Sequence, residues 1–387
     1  MSELHKLPDG WEWKTIEELC EILDRLRKPI SQKDRISGEY PYYGATGIVD
    51  YINNYIFDER LLLIGEDGAK WGANENTAFI AEGKYWVNNH AHIMRPNKDL
   101  VIDSLLIYYL NTTDLMEYIT GATVKKLNQE KLKSINIPLP PLEEQKRIVT
   151  KLDNLFAKID KAIALHQKNI DEADIFMASV LNDVFVELEE KYEIKTVYDL
   201  CTKITDGTHS TPKYIDSGVP FLSVKNISQG VISFDDTKFI SMDEHNLLSK
   251  RCNVEIDDIL YTKVGTTGIA KVVDTDVEFS IFVSIALLKP KKDLINSMYF
   301  QYILNSPNCY EQSQSRTRGV ANRNLVLNDI KQIFFPLPPL KTQQKVVSYL
   351  DEISQKMEKI KQIQKEKMQS LKELKASILD KAFKGEL

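Results

Sequence analysis

The sequence predicts an α+β protein in which two similar mixed α/β domains are separated by two long helices that pair as an antiparallel coiled coil. Residues 138–185 and 336–383 align without a gap at an offset of 198, and 15 of these 48 positions are identical. Residues 12–20 match residues 193–201 at an offset of 181. A sequence that repeats in this way predicts a duplicated architecture of domain, helix, domain and helix.

The first globular domain is predicted over residues 1–137 and the second over 189–335. Both contain short apolar runs separated by Gly, Asn and Asp, which are typical of strands and turns. The runs are 61–64, 77–80 and 92–94 in the first domain, and 219–224, 259–262 and 282–288 in the second. A short helix is predicted before the last loop of each domain, over 104–110 and 297–304.

The long helices are predicted over residues 138–188 and 336–387, and Pro-Leu-Pro-Pro-Leu opens each segment. The apolar positions that follow are spaced alternately by three and four residues, the period of a coiled-coil seam. About 45 residues of helix would span roughly 65 to 70 Å and would leave a long apolar stripe exposed if the helix stood alone. The simplest way to bury it is to pair the two helices, although they could instead brace separate domains. The seam is predicted at Ile148, Leu152, Leu155, Ile159, Ala162, His166, Ile170, Ala173, Met177, Val180 and Val184 in the first helix, and at Val346, Leu350, Ile353, Met357, Ile360, Gln364, Lys367, Leu371, Leu374 and Ile378 in the second.

Composition limits the class of protein. A length of 387 residues suits two domains with additional helix, and 43% hydrophobic residues suffice for ordinary cores. No apolar run approaches the roughly 20 residues of a membrane span, and the start lacks a signal peptide's apolar segment. The four cysteines are scattered without metal-binding spacing, and Cys20 and Cys201, at equivalent positions after Leu, are predicted to be small buried side chains in a reducing cytoplasm.

The order of these segments resembles the specificity subunit of type I restriction-modification systems over essentially the whole chain. Each motif alone is weak, but their order and the duplication are specific. Besides the two proline-led helices, the matching pieces are Gly10-Trp11 followed by Lys14 and Leu19, then residues 42–47 (YYGATG), 67–69 (DGA), 88–92 (NNHAH) and the ending 381–387 (KAFKGEL).

The resemblance implies two target-recognition domains, each of which reads one half of a bipartite double-stranded DNA target through the major groove. The paired helices would set the spacer length and dock two methyltransferase subunits, and motor-nuclease subunits could join the complex. The chain itself would need no cofactor, because the methyl donor is expected on the partner subunits, which would flip the target base, an adenine by family analogy.

A formal net charge of -6 is unsuited to a uniformly positive DNA-binding surface, so we expect local basic loops to contact the phosphates. Residues 121–126 (GATVKK) and 315–323 (SRTRGVANR) precede the two helices, with Gly121 and Gly319 at aligned positions. Glycine lets the backbone approach a phosphate and Lys or Arg neutralises it. An ordinary solvated charge run is the alternative. The predicted phosphate contacts are Lys125, Lys126, Arg316, Arg318 and Arg323.

Base reading requires donors and acceptors on short loops, because each base pair presents a distinct polar pattern in the major groove. Many such residues also form turns, so we expect about half of the candidates to be structural. In the first domain they are Tyr42, Tyr43, Thr46, Lys70, Trp71, Asn74, Asn88, Asn89, His90 and His92. In the second they are Asp206, Thr208, His209, Ser210, Lys225, Asn226, Lys263, Thr266 and Thr267.

Catalytic and metal sites are not predicted. His90 and His92 would share a strand face, but no third metal ligand has convincing spacing. The sequence contains no Asn/Asp-Pro-Pro-Tyr/Phe segment, no Gly-x-Gly loop after a strand and no phosphate-binding Gly-x-x-x-x-Gly-Lys-Ser/Thr loop. The main alternative is a two-headed coiled-coil scaffold that grips proteins without reading DNA, which would leave the basic loops unexplained.

Overall fold

The computed structural model describes residues 6–320 and 323–387. The chain divides into two compact units, which we call unit 1 (Met1–Gln167 with Lys365–Leu387) and unit 2 (Lys168–Gln364). Each unit contains one globular domain and part of both long helices. The predicted boundaries of the four segments stay a prediction, since this division falls within each long helix and not at its ends.

Unit 1 is built mainly from short strands. Its strands are β1 (Glu12–Thr15), β2 (Cys20–Ile22), β3 (Ser37–Gly44), β4 (Gly47–Ile52), β5 (Phe57–Asp58), β6 (Leu61–Gly65), β7 (Ala78–Ala81), β8 (Lys84–Val87), β9 (Ala91–Pro96) and β10 (Asn136–Leu139). Its helices are α1 (Ile16–Leu19), α2 (Asp103–Thr112), α3 (Gln129–Lys133) and the first part of α4 (Leu142–Glu189).

Two four-stranded sheets form the body of unit 1. One has the strand order β2-β9-β6-β7 and is antiparallel throughout, while the other has the order β4-β3-β8-β5. Strand β6 (LLLIG) is buried on both faces, as its unbroken apolar run predicts. The two-stranded ladder β1-β10 brings the start of the domain beside the entrance to α4.

Unit 2 repeats this plan. Its strands are β11 (Ile194–Thr196), β12 (Cys201–Asp206), β13 (Val219–Leu222), β14 (Lys238–Ile240), β15 (Ile259–Thr262), β16 (Ala270–Val272), β17 (Ser280–Ile281), β18 (Ile285–Pro290) and β19 (Phe334–Pro336). Its helices are α5 (Val197–Leu200), α6 (Met242–Ser249), α7 (Ser297–Leu304), α8 (Pro307–Arg316), α9 (Leu327–Lys331) and the first part of α10 (Leu340–Phe383).

The sheets of unit 2 show where the two domains agree and differ. The sheet β12-β18-β15-β16 matches the first sheet of unit 1 strand for strand, and β11-β19 matches β1-β10. The remaining sheet has the order β14-β13-β17, three strands where unit 1 has four, and α6 follows β14 directly. The predicted short helices are confirmed as α2 and α7.

The long helices pair antiparallel, as predicted. In unit 1 the start of α4 packs against the end of α10 through Ile148, Leu152 and Phe156 on one side and Leu379 and Phe383 on the other. In unit 2 the end of α4 joins the same apolar cluster as the start of α10, with members Leu181, Phe185, Leu188, Val346 and Leu350. Asn169 Nδ2 donates to Gln364 Oε1 across the pair at 3.3 Å.

The predicted seam holds along α4 but is partly wrong along α10. Three predicted seam positions of α10, Ile360, Lys367 and Leu374, are exposed. The residues next to them, Lys361, Met368 and Lys375, are less exposed instead. The lysines are tolerated there because a long aliphatic stem covers apolar surface while the ammonium reaches a carboxylate, as Lys361 does with Asp174 and Lys375 with Asp160.

The duplication extends to individual hydrogen bonds. The fully buried amide of Gln145 accepts from Ile102 N and donates to the carbonyls of Leu100 and Pro140, at 2.8 to 2.9 Å. Gln343 makes the same three bonds to Asn296 N, Leu294 O and Pro338 O, at 2.7 to 2.9 Å. Each glutamine therefore joins its domain to the first turn of its long helix.

The expected burial of Cys20 and Cys201 is confirmed, and Cys252 and Cys309 are buried as well. All four thiols are free, and burial raises the pKa of the Cys20 thiol to about 12. Within residues 6–320 and 323–387, every helix is too short or too polar to cross a membrane.

Candidate nucleic-acid interface

In unit 1, several loops meet at one edge of the β2-β9-β6-β7 sheet, where β2 and β6 end and β9 begins. We call this the loop edge of unit 1. The backbone of Glu66 joins two of the loops, since its N–H donates to His90 O and its carbonyl accepts from Leu127 N, both at 2.8 Å. Residues 24–27, 66–74, 88–92 and 120–128 therefore lie side by side although they are distant in sequence.

The predicted DNA-contact residues of unit 1, both base-reading and phosphate-binding, divide by exposure. Thr46, Lys70, Asn74, Asn89, His90 and Lys125 are exposed, Tyr43 and Lys126 are half-buried, and Tyr42, Trp71, Asn88 and His92 are buried. The buried ones have structural partners: Trp71 Nε1 donates to Gly65 O at 3.0 Å, and Tyr42 OH accepts from Ile30 N at 2.9 Å. The exposed set stays a prediction for DNA contact.

A buried ion cluster lies beneath this edge. Its carboxylates are Asp24 and Glu66. Arg27 bonds Glu66 and lies 3.5 Å from Asp24, and Lys126 Nζ lies 2.7 Å from Glu66 Oε1. Burial raises the pKa of Glu66, but hydrogen bonds from Lys126 and Arg27 outweigh it and leave that pKa lowered. Both carboxylates are thus balanced by cations of the protein.

The two histidines of this edge have separate roles. His90 is exposed and its Nδ1 contacts Asp67, whereas His92 is buried with Nδ1 2.6 Å from Asp24 Oδ2 and Nε2 donating to Leu127 O at 2.7 Å. Asp24, Glu66 and His92 are close enough together to hold a metal ion, but Arg27 and Lys126 already occupy Glu66. Because His90 is exposed and His92 is buried, the two histidines do not share one face, contrary to the prediction.

The loop edge of unit 2 lies at the matching end of its sheet, where β12 and β15 end and β18 begins. Leu325 N donates to Lys263 O at 2.7 Å and Gly265 N to Arg323 O at 2.9 Å, which joins the 263–268 loop to the basic loop. Val283 N donates to Thr208 O at 3.0 Å and Val224 N to Ser284 Oγ at 3.0 Å. Lys263 N also donates to Ser284 O at 3.0 Å, so five segments meet at this edge.

The predicted residues of unit 2 also divide by exposure. His209, Ser210, Lys225, Thr266, Arg318 and Arg323 are exposed, Arg316 is half-buried, and Asp206, Thr208, Asn226, Lys263 and Thr267 are buried. Asn226 caps its own turn by accepting from Ser223 N at 3.0 Å, and Thr267 Oγ1 lies 3.1 Å from Thr317 Oγ1. These two side chains are held by internal hydrogen bonds.

Asp206 is the centre of the ion cluster of unit 2. Its carboxylate accepts from Lys263 Nζ at 3.1 Å, from His209 Nε2 at 3.2 Å and from Arg251 Nη2. Burial raises the pKa of Asp206, but the hydrogen bond and charge of Lys263, followed by those of His209, leave that pKa lowered. Asp206 is therefore a carboxylate at neutral pH, and of the predicted residues Lys263 is its ion-pair partner and His209 a hydrogen-bond partner.

The basic loops share a left-handed glycine. Gly121 has φ +91° and Gly319 has φ +87°, a conformation that a residue with a Cβ adopts only with strain. A Cβ on Gly121 would also lie 2.1 Å from Val124 O. The turn itself requires the glycine, independently of any phosphate. Ala321 and Asn322 of the second loop lie outside the described residues.

Sequence reasoning missed Asp24, Arg27, Glu66 and Arg251. Asp24 and Asp206 follow the matched cysteines Cys20 and Cys201 by four and five residues, so the duplication could have pointed to them. Arg251 follows α6, more than 40 positions from Asp206. Only the fold brings it to the loop edge.

Two domains with one framework and unlike polar loop edges, joined by paired helices, define a two-headed recognition protein. Residues 8–172 and 189–367 match the family model described as the type I restriction modification DNA specificity domain. The chain therefore belongs to this family of type I specificity subunits and carries two recognition domains.

Individual proteins show the same similarity. A putative type I restriction enzyme specificity subunit of Haemophilus influenzae is 27% identical over 90% of this chain and 89% of its own length. The EcoBI specificity subunit of Escherichia coli is 29% identical over 69% of this chain and 62% of its own.

Solved structures share the fold. A chain from a study of complex assembly and conformational transition of the type I R-M system gives a TM-score of 0.73 at 21% identity, covering 99% of this chain and all of that one. The HsdS subunit of Thermoanaerobacter tengcongensis gives 0.51 at 21% identity, covering 100% and 99% of the two chains.

Proposed function

We propose that this chain is the DNA-reading, non-catalytic subunit of a type I restriction-modification complex. Each unit reads one half of a bipartite DNA target through the major groove with its loop edge. The observation that carries the proposal is the contrast between the matched bonds of Gln145 and Gln343 and the unlike loop edges of the two units. A duplicated framework with divergent polar loops suits two different half-sites.

Local charge supports DNA binding despite the net charge of -6. Exposed Lys125 lies at one loop edge, and Arg318 and Arg323 lie at the other. Positive side chains on a loop give the salt-dependent part of DNA affinity, and polar groups beside them can contact base edges. The exposed predicted residues of each edge are the proposed DNA contacts.

The helix pair is the proposed ruler and docking surface. It sets the number of base pairs between the half-sites and docks two methyltransferase subunits on similar surfaces of the two units. Those subunits supply the methyl donor and flip the target base, an adenine. A motor-nuclease subunit cuts unmodified DNA, and the complex works in the cytoplasm.

Genome-wide mapping of methylated bases tests the proposal. The full chain would be co-expressed with its modification subunit in a host without other type I systems. We expect one bipartite motif with a fixed gap. Exchange of residues 189–335 for the same domain of a related chain should change one half of the motif only. A continuous motif would contradict the proposal, as would absent methylation by a chain that still binds the modification subunit, the result expected of a scaffold.

Helix length tests the ruler. Removal of seven residues around Asn169 in α4 and seven around Gln364 in α10 keeps the heptad phase and shortens the pair by about 10 Å. We expect the gap to shrink by about three base pairs, since each base pair rises about 3.4 Å. Both half-sites should stay unchanged, and an unchanged gap would contradict the ruler.

A further inference from the structure

Arg251 places a guanidinium at the loop edge of unit 2. Its Nη2 donates to Asp206 and its Nη1 donates to Gly207 O at 3.3 Å. The side chain is 53% exposed although Asp206 is almost completely buried. A partly anchored, solvent-facing arginine lies beside the candidate DNA-contact loop 206–210.

Unit 1 contains a matched arginine in a different state. Arg27 lies 3.5 Å from Asp24, bonds Glu66 and donates to Ala91 O at 2.9 Å, so its side chain is only 15% exposed. Asp24 and Asp206 are equivalent, because each lies two residues beyond a matched ladder pair, Ile22 with Met94 and Ile204 with Leu288. Each unit therefore has one arginine on the same aspartate, drawn from a different part of the chain.

The two clusters differ in residue type at one equivalent position. Glu66 and Lys263 are equivalent, since their carbonyls accept from the aligned residues Leu127 and Leu325, at 2.8 and 2.7 Å. Unit 1 has a carboxylate there, which captures its arginine, while unit 2 has a lysine, which competes with the arginine for Asp206.

The charges of the two clusters differ accordingly. In unit 1, Asp24 and Glu66 face Arg27 and Lys126, with His92 as a further partner of Asp24, so two carboxylates balance two permanent cations. In unit 2, the single carboxylate of Asp206 faces Lys263 and Arg251, with His209 as a third partner. Asp206, Lys263 and Arg251 together thus carry one net positive charge, and the exposed members of the cluster are Arg251 and His209.

We propose that Arg251 binds a backbone phosphate of the half-site read by unit 2, with His209 beside it, and that Arg27 of unit 1 has no such role. The inference rests on the proposed function, because it assigns a further contact to the same DNA. A guanidinium suits this ligand, since its fixed N–H donors match two phosphate oxygens while another donor keeps its bond to Asp206. Phosphate contact fixes position on the duplex without selecting its sequence.

The salt dependence of DNA binding tests the assignment. The full chain with its modification subunits would be titrated by fluorescence anisotropy with a duplex carrying the methylated motif, between about 50 and 200 mM salt. The slope of log affinity against log salt is negative, and loss of one phosphate contact should reduce its magnitude by about 0.9. For Arg251→Gln we expect this change, roughly five- to tenfold weaker binding near 0.1 M salt, and an unchanged motif.

Two matched controls carry the same loss of charge. Arg27→Gln removes the equivalent arginine of unit 1, and Arg95→Gln removes a partly exposed arginine that is paired with Glu21 and Glu59 at the far end of β9. We expect the wild-type slope for both. An equal loss of slope in either control would overturn the inference, because it would show a general effect of net charge.

A second variant keeps Arg251 but pairs its guanidinium with a second carboxylate. Asn324 aligns with Lys126 at the offset of 198. Lys263→Glu with Asn324→Lys therefore rebuilds the charge set of unit 1 and changes the net charge by the same amount as Arg251→Gln. We expect the same loss of slope, since the new carboxylate captures Arg251. Circular dichroism melting of each variant checks folding. A variant that melts below the assay temperature is replaced by Arg251→Lys. For Arg251→Lys we expect a smaller loss of affinity and an unchanged slope.

The outcomes separate the inference from the proposed function. A wild-type slope in folded Arg251→Gln would overturn the phosphate contact alone. A changed motif with an unchanged slope would do the same, by making Arg251 a base reader. Failure of the wild-type complex to prefer the motif over random duplex would contradict the proposed function instead.

Discussion

The two units differ least where the domains join the long helices and most at their loop edges. Besides the matched glutamines, Tyr108 OH donates to Asp153 in unit 1 as Tyr302 OH does to Asp351 in unit 2, at 2.5 and 2.6 Å. At the loop edges, by contrast, Lys263 replaces Glu66. Duplication therefore kept the bonds that orient each domain on its helix and left the exposed loops free to diverge.

The largest expected loss of stability comes from replacing Phe185 or Phe383, the equivalent phenylalanines at the ends of α4 and α10. Phe383 packs edge-on against Tyr109 at 5.1 Å in unit 1, and Phe185 against Tyr299 at 5.7 Å in unit 2. Replacement by Ala should destabilise the affected unit by about 3 to 5 kcal/mol through the cavity it leaves. Hydrogen exchange resolved by residue would detect the loss. Loss of protection in the other unit as well would show that the units do not unfold separately.

The framework glutamines should give equal effects. Gln145→Ala or Gln343→Ala leaves a buried N–H and two carbonyls without their side-chain partner. We expect a loss of about 2 to 4 kcal/mol in the corresponding unit, because buried polar groups left unpaired are costly. Denaturant unfolding followed by hydrogen exchange measures both. A large effect at one glutamine with none at the other would break the equivalence of the two frameworks.

Acid should affect the two ion clusters differently. Because the pKa of Glu66 is lowered in the folded chain, its stabilisation is present above its unfolded pKa of about 4.3 and is lost as pH falls through the folded value. The equivalent position of unit 2 holds Lys263, which has no carboxyl group to protonate, so acid acts on that cluster through Asp206, whose pKa is also lowered. Glu66→Gln should therefore cost about 1 to 3 kcal/mol at pH 7 and flatten the decline of unit 1 stability below about pH 5.

Melting curves of the wild type and Glu66→Gln from pH 7 to pH 3 provide the measurement. Lys263→Met is the matched control in unit 2, and it should leave the acid sensitivity of unit 1 unchanged. Parallel pH profiles for the wild type and Glu66→Gln would contradict this account of the cluster.

The smallest effect is expected at the lysines of the helix seam. Lys375 lies 2.9 Å from Asp160 and 4.7 Å from the centre of the Phe156 ring in unit 1. Lys375→Met should cost at most about 1 kcal/mol, and less in high salt, because the pair is partly exposed. Lys361→Met in unit 2, where the lysine is more buried, should cost at least as much. Thermal melting at two salt concentrations tests this order.

The regular parts of the fold could be predicted from sequence, and the geometry of the loop edges could not. Apolar spacing located α4 and its seam, because a helix repeats every 3.6 residues and buries one face. The same rule misplaced Ile360, Lys367 and Leu374, since it cannot see that lysine stems replace apolar residues in the seam. Trp71 and Asn226, both predicted DNA contacts, are likewise buried, because burial depends on neighbours distant in sequence.

The sequence by itself determined the duplicated order of domains and helices, the antiparallel pairing and the family, because these follow from repeats and periodic patterns along the chain. Tertiary structure alone decided which polar residues face solvent and which form ion clusters. Arg251 meets Asp206 only because α6 and the end of β12 pack together. Such contacts depend on how loops close in space, and no local pattern of residue types encodes that closure.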